Sequence, residues 1–355
     1  MGIKMEKYIL KKDNTRTFLD FMEERFAVYI PADDDGVYIF MELGDVKAPA
    51  LDIPRTNRPP KDIFYPQREI MFRYDAEGNM VDTKYRGKPP FIFGIRPCDV
   101  RSYELLEKTF IDPKYKDDYW AARRKDHIIF TMTCNEPLES CFCNWVGGAP
   151  DDTTGSDAMM TDIGEEYLIE PLNQRSDKLL KSIDFVEEAD DEKVNTAKKI
   201  RDNAKSVMPE PPETENLPTE MKNSLDQIWE SELWNDISSK CIGCGACTYH
   251  CPTCYCFDIT DESRRGDGVR MRIWDSCMFP IFTREASGHN PREKQPKMRQ
   301  RFMHKFNYYI EAQDSVGCVG CGRCVSICPV NNDIRSFIMG VLEEGRKVRK
   351  GGGDE

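Results

Sequence analysis

Eight of the chain's fifteen cysteines fall in two runs, Cys241-Cys244-Cys247-Cys251-Pro252 and Cys318-Cys321-Cys324-Cys328-Pro329. In such a run three thiols, each separated from the next by two residues, wrap one face of an iron–sulfur cube. The fourth, ahead of a chain-turning proline, points toward the neighbouring cube. That geometry exchanges ligands between the runs: Cys241, Cys244, Cys247 and Cys328 for one [4Fe-4S] cluster, Cys318, Cys321, Cys324 and Cys251 for the other. A pair of zinc sites or a disulfide framework is the competing use of such cysteines. It has no use for the third evenly spaced thiol or the proline, and the whole pattern occurs twice. Gly243, Gly245, Gly320 and Gly322 suit a backbone that folds tightly and aims its N–H groups at sulfur. The chemistry expected is one-electron transfer.

Four more cysteines precede these runs. Cys98 lies in Arg96-Pro97-Cys98-Asp99, and Cys134, Cys141 and Cys143 share one loop. Four is the number a cubane needs, so a third [4Fe-4S] cluster on Cys98, Cys134, Cys141 and Cys143 is expected; the alternative is buried thiols packed as small hydrophobes. Arg96 is placed either to donate to cluster sulfurs or to bridge Asp99 or Glu136. Cys254, Cys256 and Cys277 lie between the two runs. With Asp275 they are candidates for a further metal centre, but packing around the second cluster, excluding water and adjusting its potential, is the preferred reading. His127, His250, His289 and His304 have no ligand spacing, and no catalytic residue is identified.

The elements that must position these thiols make an α+β protein. An amphipathic helix is expected over 7–25, strands over 37–43, 90–95, 127–133 and 167–171, and a helix over 99–110. These give an N-terminal α/β domain over 1–175, with the expected third cluster. A charged helical linker follows over 176–238, with helices at 191–207 and 218–238 separated by Met208-Pro209-Glu210-Pro211-Pro212-Glu213. The ferredoxin-like dicluster domain spans 239–340, interrupted by a long insertion over 252–317, and a tail covers 341–355, its end from 347 reading as disordered.

Thiol-rich composition without an N-terminal apolar segment implies a reducing, cytoplasmic setting. No window is apolar enough for direct membrane insertion, and a net charge of −12 argues against a nucleic-acid partner. Residues 261–310 are locally basic, with eleven Arg or Lys against six Asp or Glu. That stretch reads either as a docking surface or as a solvated face with internal ion pairs. Residues 301–309 read as an aromatic-rich helix. Dinucleotide and P-loop fingerprints are absent, so a flavin or nicotinamide is expected on another subunit.

Matching stretches from about residue 52 to 335 carry a resemblance. They include Thr56-Asn57-Arg58-Pro59-Pro60-Lys61, Phe64-Tyr65-Pro66-Gln67-Arg68-Glu69, Gly94-Ile95-Arg96-Pro97-Cys98-Asp99, Cys251-Pro252-Thr253-Cys254-Tyr255-Cys256, Trp274-Asp275-Ser276-Cys277 and Gly288-His289-Asn290-Pro291-Arg292. With the cysteine loop 134–143, the chain resembles the electron-transfer subunit family of sulfhydrogenase β subunits and anaerobic sulfite reductase A subunits. The resemblance implies a non-catalytic iron–sulfur subunit. It would relay electrons between a flavin-binding subunit, linked to NAD(P)H or ferredoxin, and a catalytic subunit. That subunit would be a nickel–iron hydrogenase, a sirohaem sulfite reductase or a heterodisulfide-reductase-type module. The stretch 184–220 matches the family poorly. Two other readings stand beside the relay: an enzyme binding flavin or substrate in its N-terminal domain, and a docking scaffold with only two clusters.

Overall fold

A computed structural model describes residues 5–46, 48–290 and 294–351. Pro291 and Arg292 of the last resemblance motif, and the final four residues of the expected tail, lie outside the described residues. The fold is α+β, and the chain divides into two compact units. Met1–Pro66, Asp82–Glu139 and Gly148–Met208 form the first; Gln67–Val81, Ser140–Gly147 and Pro209–Glu355 form the second.

In chain order the strands are β1 (Tyr8–Lys11), β2 (Ala27–Asp34), β3 (Val37–Glu42), β4 (Arg68–Tyr74), β5 (Met80–Asp82), β6 (Pro90–Ile95), β7 (Ile128–Met132), β8 (Ala158–Asp162), β9 (Glu166–Pro171), β10 (Glu187–Glu188), β11 (Phe257–Arg264) and β12 (Asp267–Trp274). The first unit is built on an eight-stranded sheet ordered β10-β1-β9-β8-β7-β6-β2-β3. Its centre, β2-β6-β7-β8, is parallel. Every residue of β6 and β7 is buried, the continuous apolar pattern of parallel strands covered on both faces. The helix Thr15–Glu23 closes one face, its Phe18 ring 5.5 Å from Phe93 and 6.0 Å from Phe130.

The helix expected over 7–25 begins only at Thr15. Tyr8, Ile9 and Leu10 are all buried in β1, which pairs with both β9 and β10. A run of three apolar residues buried on both faces is strand, not one stripe of a helix.

The expected linker over 176–238 does not stand apart from the two units. The helix Asp191–Ser206 belongs to the first, where Ala197 packs with Ile9 and Leu168, and Arg201 pairs with Glu170. The helices Leu217–Gln227 and Leu233–Ser239 bring Leu217, Met221, Leu225 and Trp234 into the core of the second. There they meet Phe302, Phe306 and Phe337, the Phe302 and Phe337 rings stacking at 3.6 Å. The described part of the tail lies in the helix Ile334–Gly351.

The insertion is not loop. Through β12 its β11-β12 hairpin pairs with β4, drawn from about two hundred residues upstream, and β5 lies beyond β4 at the edge of the four-stranded sheet. Arg272 of β12 and Glu69 of β4 seal that pairing with a 2.5 Å ion pair, both side chains almost wholly buried. The helix Lys294–Met303 then runs into a π turn, His304–Tyr308, a distortion that often marks a functional position.

Candidate metal centres

The two cysteine runs fold alike. Gly243 and Gly245 take positive φ of 70° and 73°, Gly320 and Gly322 of 64° and 71°, a conformation that costs glycine little. In each run the chain doubles back so that a backbone N–H faces the first sulfur. Gly243 N–H donates to Cys241 Sγ and Gly320 N–H to Cys318 Sγ, both at 3.4 Å. A short helix follows each turn, Ala246–Tyr249 and Arg323–Ser326, carrying the third cysteine.

Cys241, Cys244 and Cys247 line a cavity of about 310 Å³ together with Cys328 from the other run; Cys324 and Arg301 also reach it. Cys318, Cys321 and Cys324 line a second, far narrower cavity with Cys251 of the first run, beside Arg301 and Lys305. Burial raises the pKa values of Cys247, Cys318 and Cys324, the last to about 12, so binding metal as thiolates would release protons. Cys251 goes the other way. A hydrogen bond from Cys254 holds its thiol well below the usual range, against its burial and with help from Lys305.

Two basic residues that local pattern alone hides in an aromatic stripe are central here. Arg301 and Lys305 are both buried. Lys305 Nζ donates to Cys251 Sγ at 3.3 Å, to Thr253 Oγ1 at 2.9 Å and to the Gly317 carbonyl at 2.9 Å. Arg301 reaches the Cys247 carbonyl at 3.5 Å, and its Nε has no hydrogen-bond partner among the described residues. Their spacing of four within the aromatic-rich stretch 301–309 is the available signal. The basic stretch 261–310 is therefore not one open surface: Arg272, Lys297, Arg301 and Lys305 are buried, and Arg270 is paired with Asp261.

The remaining thiols divide between the units. Cys98 follows β6 at the start of the helix Pro97–Phe110, and Cys134 follows β7. The two strands are adjacent and parallel, so these thiols lie at neighbouring carboxyl ends, where open α/β sheets place their sites. Arg96 is buried and donates to the carbonyls of Thr133 (2.5 Å), Leu51 (3.0 Å), Ile53 and Met132. It is thus spent on holding backbone, not on thiols, Asp99 or Glu136. Cys141 and Cys143 belong to the second unit. There the segment Ser140–Gly147 lies against the second run, with Phe142 N–H donating to the Gly320 carbonyl at 2.8 Å and Cys141 Sγ 3.8 Å from the Cys321 carbonyl.

Cys254 packs on Cys251, while Cys277 donates to Cys256 beside a cavity of about 270 Å³ that Tyr255 and His304 also line. The Asp275 carboxylate accepts from Ser276 N–H at 2.6 Å. Among the described residues no group of three or more His, Cys, Asp or Glu side chains closes on a point as ligands of a lone metal ion would.

Residues 240–332 match the 4Fe-4S dicluster domain. Over 335 residues, 93% of this chain and 95% of the relative, the chain is 30% identical to sulfhydrogenase 2 subunit beta of Pyrococcus furiosus. The chain belongs to the sulfhydrogenase β-subunit family. No solved structure matches it. The dicluster match in this sulfhydrogenase β-type chain takes in both cysteine runs and the insertion between them, and stops short of Cys98, Cys134, Cys141 and Cys143. Its residues fit iron–sulfur clusters. Thiols ring the cavities, glycine N–H groups face sulfur, and buried cations stand where thiolate charge would gather. A bound cluster supplies one-electron storage; the chain supplies ligands, hydrogen bonds and a water-poor surrounding. Among the described residues no helix is long and apolar enough to cross a membrane.

Proposed function

We propose that this chain is the electron-relay subunit of an oxidoreductase complex of the sulfhydrogenase kind. Cys241, Cys244, Cys247 and Cys328 hold one [4Fe-4S] cluster, and Cys318, Cys321, Cys324 and Cys251 a second. Cys98, Cys134, Cys141 and Cys143 hold a third. The observation that carries the reading is the crossed lining of the two cavities, each with three thiols of one run and the fourth of the other. That crossing is what an interleaved cluster pair needs, and a pair of separate zinc ribbons does not.

The flanking partners are a flavin-binding subunit, linked to NAD(P)H or ferredoxin, and a catalytic subunit. The relative's name favours a hydrogenase as that subunit over sirohaem or heterodisulfide-reductase modules. The complex works in the cytoplasm, where the thiols stay reduced. Anaerobic purification with native partners, followed by assay of hydrogen-, sulfite- and heterodisulfide-linked electron transfer to or from NAD(P)H, tests the reading. Cys324→Ser should abolish the linked turnover while the partners still co-purify. Full turnover in that variant, or flavin bound stoichiometrically to the isolated chain, refutes the relay.

A further inference from the structure

The two cysteine runs are near copies in backbone, yet their fourth cysteines meet different donors. Cys328 Sγ receives a neutral backbone N–H, that of Asn332, at 3.2 Å. Cys251 Sγ receives the Lys305 ammonium at 3.3 Å. Lys305 is buried, and its three protons go to Cys251 Sγ, Thr253 Oγ1 and the Gly317 carbonyl, with no carboxylate among them. Arg301 lines both cavities, so its charge contributes to both and separates them less.

We propose that Lys305 is a redox-tuning residue that makes the centre of the second run, ligated through Cys251, more easily reduced than the centre of the first. The inference rests on the ligand reading above. One-electron reduction adds a negative charge to what the thiolates hold. A fixed ammonium in a dry surrounding favours that more negative state, and a hydrogen bond from a charged donor to a thiolate is stronger than one from a neutral amide. The π turn His304–Tyr308 carries Lys305 and leaves its own carbonyl accepting Gly317 N–H at 2.7 Å, so the ammonium is anchored at both ends of the residue. Electrons entering at the first centre then settle on the second, beside the Cys141–Cys143 segment.

The test is a redox titration of the anaerobically purified full chain, followed by electron paramagnetic resonance, with iron and sulfide measured on the same samples. Reducible centres in the wild type come first, three on the cluster reading above and two of them assigned to the cysteine runs; finding none refutes the ligand reading itself. Lys305→Met and Lys305→Gln should each leave iron unchanged and shift one centre at least tenfold toward its oxidised form at fixed potential, about 59 mV for one electron. Lys305→Arg should restore the potential. The centre that moves should be the one lost or altered in Cys321→Ser. Unmoved potentials in both neutral variants overturn the proposal. A wild-type potential in Lys305→Gln alone assigns the effect to hydrogen bonding, not charge, and overturns it too. Loss of iron from both neutral variants makes Lys305 structural, with the same consequence.

Discussion

Gly243 and Gly320 occupy the same place in the two cysteine runs, and replacing each with alanine separates what the run needs from what the neighbouring loop needs. Both have positive φ, and both donate their N–H to the run's first sulfur at 3.4 Å. A Cβ on Gly243 meets nothing closer than the Met278 carbonyl at 3.9 Å. A Cβ on Gly320 would fall against the Phe142 carbonyl and meet the N and Cα of Cys143 at 2.5 Å. Gly243→Ala therefore carries only the left-handed backbone cost, about 1–2 kcal/mol. Gly320→Ala carries that plus the overpacking of one backbone against another, about 1–3 kcal/mol more. At about 2–4 °C per kcal/mol for a unit of this size, its thermal midpoint should fall further than that of Gly243→Ala by about 2–12 °C. The assay is anaerobic thermal unfolding by circular dichroism, the two variants side by side, with iron determined before heating. Equal midpoint shifts would refute the contact between the second run and the segment bearing Cys141 and Cys143.

Other consequences follow from named contacts. Cys141→Ala should lower iron by about four per chain if its loop supplies a third cluster; unchanged iron returns the loop to packing. Glu69→Gln should destabilise the second unit by about 3–5 kcal/mol by removing the carboxylate charge that neutralises buried Arg272, whereas Glu69→Leu with Arg272→Met should cost less than either single change, read by chemical denaturation. His127 is pulled down to about 4, by burial first and the adjacent Arg124 second. The unfolded chain therefore binds a proton there between about pH 6.5 and 4 that the folded chain does not. Stability of the first unit should be greatest above that window and fall by up to about 3 kcal/mol through it; His127→Gln should remove that part of the slope in melts at pH 7.5 and 5.

The parts of this molecule written in local pattern were legible from the chain. The apolar runs at 90–95 and 127–133 read as strands and fold as β6 and β7, and the cysteine spacing pointed to the dicluster domain that residues 240–332 match. What was not legible depends on distant pairing. Nothing near Arg68–Tyr74 says that this strand will leave the first unit to pair with β12, because its partner lies about two hundred residues away and the sealing pair Glu69–Arg272 is visible only once both strands meet. Charge misled in the same way. Lys305 and Arg301 look like solvent-facing residues of a basic stretch, and only burial beside Cys251 and the Cys247 backbone gives them a role at the candidate centres. Cys98 and Cys134 were visible as candidate ligands, but their neighbouring places at the ends of β6 and β7 follow from sheet order, which the sequence does not spell out.

The most direct test of the central claim is iron, acid-labile sulfide and zinc content of the anaerobically purified chain. Three four-iron clusters predict about twelve iron and twelve sulfide per chain with no zinc. About eight iron, or zinc in place of iron at the N-terminal cysteines, would contradict a three-cluster relay.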